Sequence, residues 1–380
     1  VLLKSGVVVA ATATVFMSCQ LGTAAAEPDS PLAGPAGAQT DSSPTAVPVG
    51  VTTLHLVDPN RADARAPQTR RELAVTIHYP AADAASYPLA DGSRPWLPVA
   101  GHPSRSYLGA PVDTSSGRLP VVLYQPGAGA AAYEGTTMVE SLAARGYVVV
   151  SMDDTHDALF GTDFPDGHYV PVDPNAELSA DTLAISSAAR AGDISFVLDQ
   201  LSALTRGVDP DVDHGVLPAG LDAAMDLNEV GMFGHNLGGA MALYADSRVR
   251  AGVDLDGALP PTALDPGLVA DPNRPMLFVL GGGTNPALGH DTLQKMTGDR
   301  PGWTRELVLD SAVHQSFDDI KYNPDWYQVI EAGGWGALNP DRGHAVINAY
   351  VAAMFDHFLR GRHEPLLDAP SAEYPEITFG

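Results

Sequence analysis

Val230-Gly231-Met232-Phe233-Gly234-His235-Asn236-Leu237-Gly238-Gly239-Ala240 is the stretch on which the reading of this chain turns. It reads as a short apolar strand that bends through glycines into a helix beginning Ala240-Met241-Ala242-Leu243. That is the context of a Gly-x-Ser-x-Gly nucleophile elbow, where flanking glycines let one side chain stand exposed above a parallel sheet. The outer positions are Gly234 and Gly238, and the central one, where serine belongs, is Asn236.

Outward from that stretch the chain alternates strands and helices. Residues 51–57 and 72–79 read as strands joined without a helix, and so as an antiparallel pair. Residues 119–124, 146–152, 251–256, 275–280 and 304–309, with the elbow strand, are short and mostly apolar, as strands buried on both faces are. Helical spacing runs through 133–145 and 179–204, the second with Ile194, Val197, Leu198, Leu201 and Leu204 on or near one face. A last helix over 342–359 is ended by Gly361. Residues 153–177 are a long loop with a turn signal at Phe164-Pro165-Asp166-Gly167. This alternation predicts an α/β fold, a mainly parallel central sheet of about eight strands with helices on both faces.

An elbow enzyme presents its partners in the order nucleophile, acid, base, each on a loop at the carboxyl end of a strand. Asp256, before Gly257, closes the strand after the elbow, and His314 lies just past the strand 304–309. Such an acid holds the imidazole in one tautomer, and the imidazole takes the nucleophile's proton. The N–H groups of Leu237 and Ala128 are the candidate oxyanion donors, one following the elbow residue and one in the loop after strand 119–124. Asp254 rivals Asp256 because alternation puts both on one face of the strand. His156 and His290 precede the last strand, His344 falls on the final helix, and His235 reads as a packed neighbour. Asp153, Asp154, His156 and Asp157 read as a polar loop rather than a metal cluster, since no second cluster has ligand spacing. Tyr133, Trp326 and Trp335 fit either an acyl pocket or aromatic packing.

Four stretches carry a resemblance: Gln125-Pro126-Gly127-Ala128-Gly129, Gly234-His235-Asn236-Leu237-Gly238-Gly239, Val253-Asp254-Leu255-Asp256-Gly257 and Ser311-Ala312-Val313-His314-Gln315-Ser316-Phe317. Together they resemble the platelet-activating-factor acetylhydrolase and lipase-like branch of the α/β-hydrolases, as found in secreted bacterial proteins, from about residue 70 onward. The resemblance implies an α/β-hydrolase fold and hydrolysis of short acyl esters, phospholipid esters included, without cofactor or calcium. It implies Asp256 as acid, His314 as base, and Ala128 and Leu237 as oxyanion donors. The nucleophile does not carry over.

The composition supports a soluble globular protein. A hydrophobic share of 45% suffices for a large core, and a formal charge of -25 makes nucleic acid an improbable partner. Residues 1–26 read as a secretory signal, with Lys4, an apolar run too short to span a membrane, and small residues through Ala26. Two processing routes compete: cleavage after Ala26 to a soluble secreted protein, favoured here, or lipid anchoring at Cys19. Residues 27–50 are a Pro/Ala/Gly-rich linker, leaving 51–380 as the hydrolase domain.

At Asn236 a carboxamide offers no proton whose removal makes a competent nucleophile, so the serine route is closed. Asparagine nevertheless tolerates the strained backbone of an elbow better than most residues. Four explanations follow: an inactive scaffold that binds lipid or ester ligands, a one-codon change in an active esterase, weak hydrolysis by water activated at His314, or deamidation to aspartate. Bulky Leu237 is expected to slow the cyclisation that deamidation ordinarily uses.

Overall fold

The computed structural model describes residues 47–90, 104–176, 179–283, 286–319 and 338–380. Residues 1–26, Cys19 among them, most of the segment 27–50, Trp326 and Trp335 lie outside the described residues.

Strands β1 (Val49–Ala62) and β2 (Arg70–Pro80) pair antiparallel, as their helix-free connection requires. The next sheet strands are β3 (Ser106–Leu108), β4 (Leu119–Gln125) and β5 (Val148–Met152). A small hairpin, β6 (Thr162–Asp163) and β7 (Tyr169–Val170), closes around the Pro165-Asp166-Gly167 turn inside the long loop. The sheet continues with β8 (Met225–His235), β9 (Val249–Leu255), β10 (Met276–Gly281), β11 (Thr304–Leu309) and β12 (Ile377–Phe379). Its order is β12-β11-β10-β9-β8-β4-β5-β2-β1-β3. The block β5-β4-β8-β9-β10-β11 is parallel throughout.

Among the described residues the sheet has ten strands where about eight were expected. The additional edge strands, β3 and β12, are three residues each, too short to show a period in sequence. The fold is the expected α/β-hydrolase architecture, with both faces of the sheet covered.

Among the described residues the helices are α1 (Thr136–Ala143), α2 (Ala180–Leu204), α3 (Leu221–Ala224), α4 (Leu237–Leu243), α5 (Pro286–Thr297) and α6 (Pro340–Arg360). Alternation along each strand splits the core in two. Val121 and Leu123 of β4 face α2 and α4, joining Ile194, Val197, Leu201, Leu237 and Met241. Val122 and Tyr124 face the other way, toward Met138 and Leu142 of α1 and Ile347, Tyr350 and Phe355 of α6. The Ser179 hydroxyl caps α2 by accepting the Thr182 N–H at 3.2 Å, and Gly361 ends α6 at φ 65°. The segment 133–145 is a 3-10 turn (Ala132–Gly135) running into α1, whereas α3 and α5 had no readable pattern. Among the described residues no helix is long and apolar enough to cross a membrane.

A buried ion cluster ties β2, the loop after β5 and α2 together. Arg71, 2% exposed, donates to Asp63 (2.9 Å), Asp154 (2.7 Å), Asp193 (2.7 Å) and the Thr155 carbonyl (2.8 Å). Removing one partner of such a cluster strands the others without solvent. Arg71→Met is expected to lower the unfolding free energy by about 3–5 kcal/mol, read as a lower urea midpoint at unchanged slope.

Candidate active site

The elbow is built by backbone contact. A Cβ on Gly238 would lie 2.1 Å from the Gln125 carbonyl oxygen, and one on Gly234 would lie 2.4 Å from the Gly238 carbonyl carbon. Only glycine lets β8, α4 and the end of β4 meet this closely. Between them Asn236 is held at φ 53° and ψ -123°. Its N–H donates to the Leu255 carbonyl, and its own carbonyl accepts from Ala240, both at 3.0 Å. At that ψ the residue lies outside the left-handed helical region that asparagine favours, so the turn is strained and is held by these backbone contacts.

From that backbone the Asn236 side chain reaches both parts of the expected machinery. Its Nδ2 lies 2.9 Å from His314 Nε2, and its Oδ1 accepts the Ala128 N–H at 3.2 Å. His314 sits in a 3-10 turn (His314–Phe317) after β11, and its Nδ1 is 2.6 Å from Asp256 Oδ2. With that ring N–H donated to Asp256, Nε2 is the acceptor for the Asn236 amide. Asp256 follows β9 at φ 51°, and its other oxygen accepts the Gly281 N–H at 2.8 Å. Leu237 opens α4 directly after the elbow, in the first turn, where helical N–H groups lack an intrahelical carbonyl.

The two candidate acids have opposite surroundings. Burial pushes the Asp256 carboxyl up, but hydrogen bonds from His314 and Gly281 outweigh it and hold it below the ordinary carboxylate range. Burial pushes Asp254 up to about 8, only partly offset by the Gly257 N–H at 2.7 Å. Asp254 lies beneath the elbow against Gly239 and Gly257, as a neutral structural group.

The other histidines are not part of the Asn236–His314–Asp256 chain of hydrogen bonds. His235 is buried, its ring 4.4 Å from that of His314, and burial lowers it to about 3. It is therefore a neutral packing neighbour. His344 Nε2 is 3.0 Å from the Asp318 carbonyl oxygen, and exposed His290 pairs with Glu306 at 2.8 Å. In the loop 153–157, Asp153 accepts the Ala132 N–H, Asp154 binds Arg71 and Arg190, and Asp157 binds Arg65 and Ser186. Among the described residues, only His55, Asp166 and Asp213 bring three ligand atoms within 4.8 Å of one another. Both His55 nitrogens already face carboxylates, Asp213 at 3.2 Å and Glu72 at 3.1 Å.

Sequence reasoning missed Arg190. Its fully buried guanidinium donates to the carbonyls of Pro126 (2.5 Å) and Gly127 (3.0 Å) and to Asp154 (2.8 Å). It thereby fixes the loop that aims the Ala128 N–H. The available signal was an arginine four residues before Ile194, on the apolar stripe of its helix. Beside Ala128 and Gly129 lies a small depression, lined by Leu159 and Leu183 with Arg65, Asp157 and Ser186. Tyr133 is half-buried beside Glu134 and Asp153.

A carboxyl whose folded pKa lies above its unfolded one binds its proton more tightly in the folded state, so stability falls as pH rises between the two. For Asp254 that window runs from 3.8 to about 8. Asp254→Asn is expected to flatten the decline, read from urea midpoints measured across the window; an unchanged slope would mean the carboxyl is already ionised in the fold.

Residues 102–330 match the family described as platelet-activating factor acetylhydrolase, isoform II. The chain is 25% identical over 283 residues to a probable 1-alkyl-2-acetylglycerophosphocholine esterase of Arthroderma benhamiae. That match covers 69% of this chain and 66% of the relative, just under two thirds of the relative's length. The solved structure of a ferulic acid esterase from Streptomyces cinnamoneus is similar at TM-score 0.70 and 30% identity, covering 88% of this chain and 97% of that one. The chain therefore belongs to the platelet-activating factor acetylhydrolase isoform II family, on an α/β-hydrolase fold.

Proposed function

We propose that this chain is an exported carboxylic ester hydrolase-type protein, built for short-acyl or phospholipid esters, whose activity is disabled at Asn236. The similar proteins support the reaction class, since one is named for an acetylglycerophosphocholine ester and the other for a ferulic acid ester. The observation that carries the disabling is the engagement of both ends of the Asn236 carboxamide. Its nitrogen faces the only basic ring nitrogen of His314, and its oxygen takes the Ala128 N–H.

With serine at 236, His314 would take the hydroxyl proton, held in its tautomer by Asp256, as the oxygen attacked the ester carbonyl. The resulting oxyanion would be stabilised by the N–H groups of Ala128 and Leu237. His314 would then protonate the departing alcohol and activate the water that releases the acid. Asparagine removes the nucleophile and also occupies one oxyanion donor. Losing the nucleophile of such a triad costs about 10⁶ in rate, with roughly 10³–10⁴ over water left to binding and the oxyanion donors.

Hydrolysis of p-nitrophenyl acetate tests this on three versions of the chain. Asn236→Ser is expected to gain at least about 10³-fold over the unmodified chain, and adding His314→Ala to abolish the gain. A serine version no faster than the parent overturns the reading and leaves a ligand-binding role as its replacement. In the serine background Arg190→Lys is expected to lower kcat by about 10–100-fold with little change in KM, because a small shift of a positioned group is costly.

A further inference from the structure

The Asn236 side chain is posed within its own site as a substrate rather than as a bystander. A primary amide is hydrolysed by the same elements that hydrolyse an ester: a donor to the carbonyl oxygen, a base for water, and an acid for the leaving nitrogen. Here the carbonyl oxygen Oδ1 accepts the Ala128 N–H at 3.2 Å. The leaving nitrogen Nδ2 is 2.9 Å from His314 Nε2, the atom that would protonate it. Asp256, 2.6 Å from His314 Nδ1, stabilises the imidazolium that exists between those two transfers. The carboxamide cannot easily turn away. Its backbone is fixed at φ 53° between β8 and α4, and a Cβ on Gly127 would come 3.2 Å from Asn236 Cβ.

We propose that the Asp256–His314 pair slowly hydrolyses the Asn236 carboxamide, making residue 236 a self-modification site whose product is aspartate. The Nδ2–H hydrogen bond to His314 Nε2 gives way as a water oxygen bonds to Cγ and its proton passes to that nitrogen, and the charge on Oδ1 is held by Ala128. The Cγ–Nδ2 bond then breaks as the same proton moves to Nδ2, and ammonia leaves. The net change is amide plus water to carboxylate plus ammonium, with no change of oxidation state. The product suits the site better than the amide does: one carboxylate oxygen keeps the Ala128 N–H, and the other gives His314 an anionic partner. The ordinary route, ring closure onto the Leu237 nitrogen, would require the carboxamide to leave both hydrogen bonds. It would also disturb Leu237, which is fully buried at the start of α4. This inference rests on the active-site reading above but uses neither an added nucleophile nor an ester substrate.

The test follows the full chain by peptide mapping during incubation in ¹⁸O-labelled water. Conversion at 236 is expected to give aspartate carrying one labelled oxygen and no isoaspartate. It should outpace conversion at Asn175 and Asn228, which are exposed and serve as controls in the same digest. His314→Ala, and separately Asp256→Asn, should slow it, the first by about a hundredfold or more if general acid–base catalysis carries it. Circular dichroism checks that both variants are folded. Absence of conversion, equal rates in folded His314→Ala, or an isoaspartate mixture at 236 would each overturn the proposal. None of these outcomes depends on esterase activity in the Asn236→Ser version, so the two readings fail separately.

Discussion

The contact between the Gly238 backbone and the Gln125 carbonyl sets the rest of the site. It brings the start of α4 against the end of β4, so the turn between β8 and α4 has no room to relax. The residue at its apex is forced to positive φ, with its side chain projecting above the sheet. Everything chemical in the molecule is then arranged around that apex: an imidazole from beyond β11, a carboxylate from beyond β9, and an N–H from beyond β4. The turn is strained for a residue with a side chain, and the surrounding backbone contacts hold asparagine in it. Architecture and chemistry are thus separable at position 236.

Charge is distributed around the apex with equal economy. Asp254 and Asp256 lie two residues apart, yet one is neutral and supports a turn while the other is ionised and holds an imidazole. The difference is the number and kind of donors: one backbone N–H for Asp254, an imidazole and a backbone N–H for Asp256. On the opposite flank, burial favours a neutral Asp154, but Arg190 and Arg71 override it and keep the carboxyl at about 2. Through Arg190 that buried charge is coupled to the loop bearing Ala128, so a structural ion cluster also steers a hydrogen bond at the site.

Much of this was legible in the sequence because it depends on local pattern. The glycines at 234 and 238, the apolar strands and the acid-then-base order follow from spacing alone, and His314 lies within reach of both Asn236 and Asp256. Alternation put Asp254 and Asp256 on one face but could not say which one the imidazole would find. That choice is made by turn geometry, with Asp256 itself at positive φ. Arg190 was hidden because its partners, Asp154 and the carbonyls of Pro126 and Gly127, are remote in sequence. The edge strands β3 and β12 escaped notice because three residues carry no periodicity. Signal and lipid-anchor readings rest on residues outside those described, as does most of the linker, whose last residues Val49 and Gly50 already belong to β1.

The edge strand β12 gives the C-terminal stretch a part in aiming the imidazole. Its three residues complete the outer side of β11 through Leu307, Val308 and Leu309, and the Asp310 N–H donates to the Glu376 carbonyl at 2.8 Å. Only Ser311, Ala312 and Val313 then separate this splint from His314. Trimming the tail back past residue 376 would leave β11 with a bare row of backbone amides on one flank. The backbone of the loop that swings His314 toward Asp256 would then keep its contacts to the β10 side, through the carbonyls of Leu309 and Ala312, and lose those to the C-terminal stretch.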